Sequence, residues 1–391
     1  QTPGSFTKYG FESKGIFKFS PKVILSGKLE VSREDEKNVP FILTDERTID
    51  ANYISNPTYF YVPRASDWMK QNYKVAANLA YQPIRNIFLT GSVEGKFLKA
   101  YANSDPRPEI SNFDYKGSVK LGYQYKKHRV FALAEYFNHR KESGIIYSNT
   151  DLNAPSNYDT YIRFNMGYGN YYYNNGYATT FYKYDGLAYG AEYDFAGEKN
   201  TFQIGYRNDY YIDRFFRTYS YQKYDENNKL SYFYDDLKLT GLRTEKNSVY
   251  ANYIGSLGST KWNSAFSFTD QKDANFDYQN SYTSYRVFNT NFSFRNVFTR
   301  FNSNNEMLRL GLNTNFGDQD IKDISVILNK NLTYFDYKIF AEKEIRTAVN
   351  QKLAVGINQG LYLPIDYSFN YIPYQSNQEN IFVKNIAQPD Y

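Results

Sequence analysis

The chain has 391 residues, with 43 Tyr and 31 Phe but only 2 Trp, 3 Met and no Cys, which excludes a disulfide framework, thiolate metal sites and cysteine nucleophiles. Its 46 basic and 41 acidic residues leave a net charge of +5 and are interspersed, so they form no nucleic-acid footprint. Mean hydropathy is −0.68, and no run of about 18 apolar residues occurs, which excludes a membrane-spanning helix and leaves a soluble β-protein or a barrel whose membrane signal is diluted by alternation.

In chain order, strand-like segments begin near Gly10 and Val23 and meet at Ser20-Pro21. Residues 35–72 then read as a long connection. Segments near Tyr73 and Ile87 meet at Gln82-Pro83-Ile84-Arg85, and 99–111 is long again. From Phe113 to Tyr125 every odd residue is apolar or Gly, while the even set is Asp114, Lys116, Ser118, Lys120, Gly122 and Gln124. Successive side chains on a strand point to opposite faces, so this segment has one apolar and one polar face. A turn at Lys126-Lys127-His128 leads to a segment from Val130, followed by the longest connection, 141–177. Segments near Thr179 and Phe202 join at Gly197 to Asn200, those near Leu237 and Trp262 at Gly255 to Ser259, and 218–235 and 272–281 are long. Further segments begin near Tyr285, at Leu308, near Ile324 and Tyr337 (a turn being expected at Phe335-Asp336), at Leu353 and near Ile365.

That makes roughly sixteen strands of about 9–15 residues, the length that crosses a bilayer at a tilt. Over the first ten connections short and long alternate, as tight periplasmic turns and large extracellular loops do in a barrel. The expected fold class is therefore all-β: a transmembrane, antiparallel, up-and-down outer-membrane β-barrel of about 16–18 strands, forming a single domain over 1–391. With short turns in the periplasm, the first strand runs down and the last runs up. Both chain ends then lie outside, where barrel termini are not expected, so residues missing at both ends and strands beyond these 391 residues are anticipated. Aromatic clusters such as Tyr210-Tyr211 and Phe215-Phe216 read as interfacial girdles.

The polar faces supply the lumen-facing candidates Lys28, Glu30, Lys74, Glu94, Lys96, Lys116, Lys120, Arg207, Asp209, Lys261, Arg295 and Arg309. Such residues line a water-filled pore or pair with an inserted plug. Tyr171, Tyr172, Tyr173 and Tyr177, in a Tyr- and Asn-rich stretch, are the surface-loop ligand candidates, because these side chains stack on and hydrogen-bond glycans or peptides. His128 and His139 read as solvated surface residues rather than a metal pair, and Asp318 to Asp323 reads as a charged hairpin tip rather than a calcium loop, lacking the glycine and distal Glu of an EF-hand. Nucleophile elbows, HExxH and phosphate loops are absent, so no catalytic, cofactor-binding or metal-ligating residue and no cofactor is expected.

Asp105-Pro106-Arg107-Pro108 followed by Asn112, the hairpin Phe11 to Arg33 closing on Ser26-Gly27-Lys28-Leu29-Glu30-Val31-Ser32, and the Tyr-rich run Asn170 to Gly186 together resemble a Bacteroidota outer-membrane β-barrel family of unknown function. The resemblance covers the first half of the chain. It implies a longer protein and an association with TonB-dependent uptake, and it carries no assigned binding residues. The expected function is a non-enzymatic channel or accessory component of nutrient uptake in the outer membrane of a Gram-negative bacterium. The alternatives are a partner barrel with a plugged lumen in a larger secretion or uptake complex, or the barrel part of a TonB-dependent transporter. Outer-membrane lipid is an expected partner, another outer-membrane protein or lipoprotein is a candidate, and nucleic acid is not.

Overall fold

A computed structural model describes residues 4–40, 58–61, 65–105, 107–146, 162–166, 171–174, 178–224, 230–278, 281–302, 307–324, 327–348 and 351–372. Their regular structure is all strand: β1 (Ser5–Ser20), β2 (Val23–Val39), β3 (Thr58–Tyr61), β4 (Ser66–Ile84), β5 (Ile87–Ala102), β6 (Arg107–Tyr125), β7 (His128–Ile146), β8 (Ile162–Met166), β9 (Tyr171–Asn174), β10 (Ala178–Ala196), β11 (Asn200–Tyr224), β12 (Leu230–Leu257), β13 (Thr260–Asp277), β14 (Tyr285–Phe301), β15 (Met307–Asp323), β16 (Ile327–Ala348) and β17 (Gln351–Ile372). Fourteen of them form one antiparallel sheet in the order β1-β2-β4-β5-β6-β7-β10-β11-β12-β13-β14-β15-β16-β17, so each strand pairs with its sequence neighbours. The other three, β3-β8-β9, make a small sheet that ties the two longest connections together. The fold is all-β, an antiparallel up-and-down sheet of the transmembrane outer-membrane-barrel class.

Fourteen sheet strands replace the roughly sixteen read from sequence, and the difference lies near the C-terminal end. Phe335-Asp336 is not a turn. Phe335 lies opposite Phe316 and Leu363 on the apolar face, while Asp336 accepts a 2.8 Å hydrogen bond from Asn315 on the polar face. An acid on the wet face of a long strand mimics a turn former. The segments expected near Ile324 and near Tyr337 are therefore one strand, β16, which begins at Ile327. Pro364 does not end β17 either: it sits at a register shift opposite Thr333 and Tyr334, on a strand with no further ladder among the described residues, where a missing N–H is tolerated.

The turns β1–β2, β4–β5, β6–β7, β10–β11 and β12–β13 are short and gather at one end of the sheet. Lys126 (φ 52°) and Gly258 (φ 59°) adopt the left-handed conformation that two-residue hairpins need. At the other end, where β1 also starts and β17 finishes, only the β2–β4 and β7–β10 connections are long: β5, β6, β11, β12 and β13 run into 99–111, 218–235 and 272–281, read from sequence as long loops, and leave just 103–106, 225–229 and 278–284 between strands.

One cross-strand row shows what the outward face is for. It passes through Val23, Tyr81, Leu89, Leu121, Ala132, Ala191, Tyr206, Val249, Phe268, Phe292, Phe316, Phe335 and Leu363, taking in every strand of the sheet after β1 without a charged or amide side chain. These side chains stay on the surface, with Leu121 55% exposed. A soluble protein would bury such a row, whereas lipid solvates it. The neighbouring row toward the long connections starts apolar at Phe17, Leu25 and Leu79 but turns polar at Asn208, Asn247 and Asp270 and reaches β17 at Asp366. On β17 the apolar outward residues lie lower, at Leu353, Val355, Ile357, Leu361 and Leu363. A belt that stays level in a membrane drifts across register rows when the strands are tilted, as barrel strands are.

Beyond the belt, toward the long connections, the two faces exchange character. Trp68, Leu98, Ala100, Ile110, Leu242, Tyr285, Val287, Ile321 and Leu328 belong to one buried apolar cluster, and each is on the face that is polar lower down the same strand. The intervening outward residues are Asp67, Lys99, Glu109, Arg243, Arg286, Lys322 and Asn329. This is the pattern of a water-soluble protein, apolar inside and polar outside. Phe215, read from sequence as part of a girdle, belongs here: it is buried against Tyr182, with ring centroids 4.7 Å apart. Asp273 accepts hydrogen bonds from Thr244 (2.5 Å) and Gln271 (3.0 Å), and burial above the belt pushes its carboxyl up to about 8. A packed apolar core thus lies on the inner face at the long-connection end.

Candidate functional site: the polar face beneath the core

Between the core and the short turns, the face opposite the apolar belt carries the ionisable side chains. Strand alternation puts every charged candidate named from sequence on this face, and the structure supplies their partners. Lys28 meets Glu12 at 2.9 Å and Glu30 at 2.7 Å, and Lys74 meets Glu94 at 2.9 Å. Glu135, nearly fully buried, gathers Lys116 at 3.0 Å and Arg207 at 2.5 Å, and Arg207 also holds Asp209 at 2.6 Å. Lys120 pairs with Glu192, which also accepts a 2.5 Å hydrogen bond from Tyr250. Arg309 lies 3.8 Å from Glu342, Lys261 is over the Phe301 ring, and Arg295 is exposed on the same face. Lys96 has no acidic partner among the described residues.

Two glycines make room for the Lys120–Glu192 pair. A Cβ at Gly205 would lie 2.3 Å from the Tyr250 ring, and one at Gly122 would lie 2.3 Å from Phe131, over whose ring the Lys120 amine sits at 4.6 Å. Rings laid over strand glycines pin the register as well as the pair.

Glu135, Glu192 and the buried pair Lys70–Glu36 (3.3 Å) belong to this face but were not singled out from sequence. Their signal was present: Val130, Ala132, Ala134 and Tyr136 face outward, so Glu135 must face in. His128 and His139 both lie on β7, on opposite faces, with His139 stacked on Tyr184 and bonded to Asp114. Asp318 to Asp323 is strand rather than hairpin tip, and Lys322 pairs with Asp320 at 2.7 Å. Among the described residues no group of three or more His, Asp or Glu is placed to hold a metal ion. Tyr171, Tyr172 and Tyr173 lie in β9, opposite Asn165, Phe164 and Arg163, and Tyr177 is outside the described residues.

A family model described as a family of unknown function (DUF6850) matches residues 1–391. No curated protein matches the sequence. Among solved structures, the chain is similar to the ferric-catecholate import receptor Fiu from E. coli K12, with 7% identity and a TM-score of 0.36, covering 92% of this chain and 74% of that one. The outer membrane transporter YddB from Escherichia coli shares 6% identity at a TM-score of 0.40, covering 91% and 55%. The ferric yersiniabactin uptake receptor FyuA from Yersinia pestis shares 7% at 0.37, covering 92% and 71%.

Proposed function

The chain belongs to DUF6850, a family of unknown function, so its role is argued from its geometry, and we propose that it is an outer-membrane β-barrel taking part in solute uptake without catalysing a reaction. Its belt faces the lipid of a Gram-negative outer membrane, and its ion-paired interior suits a hydrated solute. The observation that carries this reading is the exchange of faces: a polar interior at belt level, roofed by the Trp68–Tyr285–Ile321 core. Such an interior is open toward the short turns and shut toward the long connections, as in an uptake component at rest. Purified wild-type protein in planar bilayers is expected to show no steady conductance. Continuous ohmic openings at all voltages would contradict a closed resting state.

One observation favours a second reading, a partner barrel in a larger complex. Residues along most of β1 and β17 are exposed on both faces, and the two strands share no ladder among the described residues. An unpaired edge in lipid costs several kcal/mol per exposed backbone group, so each edge needs a partner, either the other edge or a strand of a second protein. Because the sequence has no Cys, a panel of engineered cysteine pairs between β1 and β17 decides it. Disulfides in intact cells mean that the two edges close on each other, and their absence, with a second protein co-purifying, supports the complex.

A further inference from the structure

Just below the buried core, β1, β2, β4 and β5 line a half-open cavity of about 390 Å³ on the polar face. Its wall brings together Lys70, Lys74, Lys96, Asn72 and Ser32, with Leu98 of the core beside them. Lys74 and Lys96 are direct cross-strand partners. Like charges facing each other on a sheet are destabilising unless something lies between them. Of the acids nearby, Glu94 serves Lys74, Glu36 serves Lys70, Glu34 serves Lys8 at 2.7 Å and Glu30 serves Lys28. Asp114, the other cross-strand neighbour of Lys96, is engaged by His139. Among the described residues each of these acids has a partner, and the Lys96 ammonium is left over.

We propose that this cavity is a subsite for a small organic anion, whose carboxylate or phosphate is clasped between Lys74 and Lys96 and hydrogen-bonded by Asn72. This deepens the uptake reading and rests on it, since it gives the solute a charge and a place. An anion neutralises the facing pair, and charge-assisted N–H···O bonds are the strong ones available here. The Glu30 and Glu34 carboxylates on the β2 side disfavour a second negative group there, so the anionic end points toward β5. Leu98 offers the remainder of the molecule an apolar wall. The core overhead stops it from leaving toward the long connections.

Isothermal titration of the detergent-solubilised full chain with citrate, and separately with inorganic phosphate, tests the subsite. Wild type is expected to bind at least one of them, more weakly as salt screens the amines; citrate alone assigns a carboxylate, phosphate alone a phosphoryl group. Lys96→Gln should weaken that binding roughly tenfold, Lys96→Arg should largely restore it, and Lys199→Gln, at a short turn, should leave it unchanged. If Lys96→Gln does not fold, judged by heat-modifiable mobility, Lys74→Gln carries the same expectation. Absence of binding by folded wild type, or wild-type affinity in the folded glutamine variant, overturns the proposal. A wild type that is closed in bilayers and binds neither probe removes the subsite alone. One that conducts steadily yet binds citrate through Lys96 removes only the closed-state reading.

Discussion

Leu121→Arg is expected to destabilise the membrane-inserted protein by about 2–4 kcal/mol, the cost of a cation near the bilayer midplane. Leu121 lies within the unbroken apolar row, between Leu89 and Ala132, and its side chain is more than half exposed to what must be lipid. Its sequence neighbour Lys120 points the other way, into the pair with Glu192. Lys120→Arg preserves that charge and should have a far smaller effect, so the contrast separates facing from chemistry. Reversible urea unfolding from lipid vesicles gives both values. A cost for Leu121→Arg within the error of Lys120→Arg would place Leu121 away from hydrocarbon.

Trp68→Ala is expected to cost about 3–5 kcal/mol, the usual penalty for emptying a buried aromatic site, and to open the interior. Trp68 is 2% exposed, in the cluster that includes Val39, Ala100 and Ile110 from one part of the sheet and Tyr285, Ile321 and Leu328 from another. Close-packed cores do not refill a hole that large. Wild type silent in planar bilayers should therefore give way to a variant with frequent openings. A Trp68→Ala protein that melts earlier but stays silent would keep the core as a stabilising element and remove it as a closure.

How much of this is legible in the sequence varies along each strand. β6 reads correctly from Phe113 to Tyr125 because lipid on one side and water on the other impose strict alternation there. Above the belt the environments exchange, so Tyr285 and Val287, or Leu328 and Leu332, carry an alternation of opposite meaning. A reading by period finds the strand but not the exchange of faces. The run from Met307 to Ile372 broke into too many segments because Asp336 and Pro364 are turn formers by composition and strand residues by context: a cross-strand Asn315 satisfies one, and a register shift on a strand with no second ladder among the described residues admits the other. For the interior, parity alone assigns Lys116 and Lys120 to the polar face. That Lys116 shares Glu135 with Arg207, three strands from Lys116, depends on register between strands, which no single segment encodes. The tilt of the belt and the closure by the core are non-local in the same way.

The central claim is that one face of this sheet meets lipid while the other holds a polar interior. Spin labels placed singly at residues 113 to 125, in protein reconstituted into vesicles, test it through collision rates with oxygen and with a water-soluble nickel complex. The account predicts a period of two, with labels at Val119, Leu121 and Tyr123 rich in oxygen collisions and those at Lys116, Ser118 and Lys120 poor in them. Equal accessibility at odd and even positions, or the reverse phase, would contradict it.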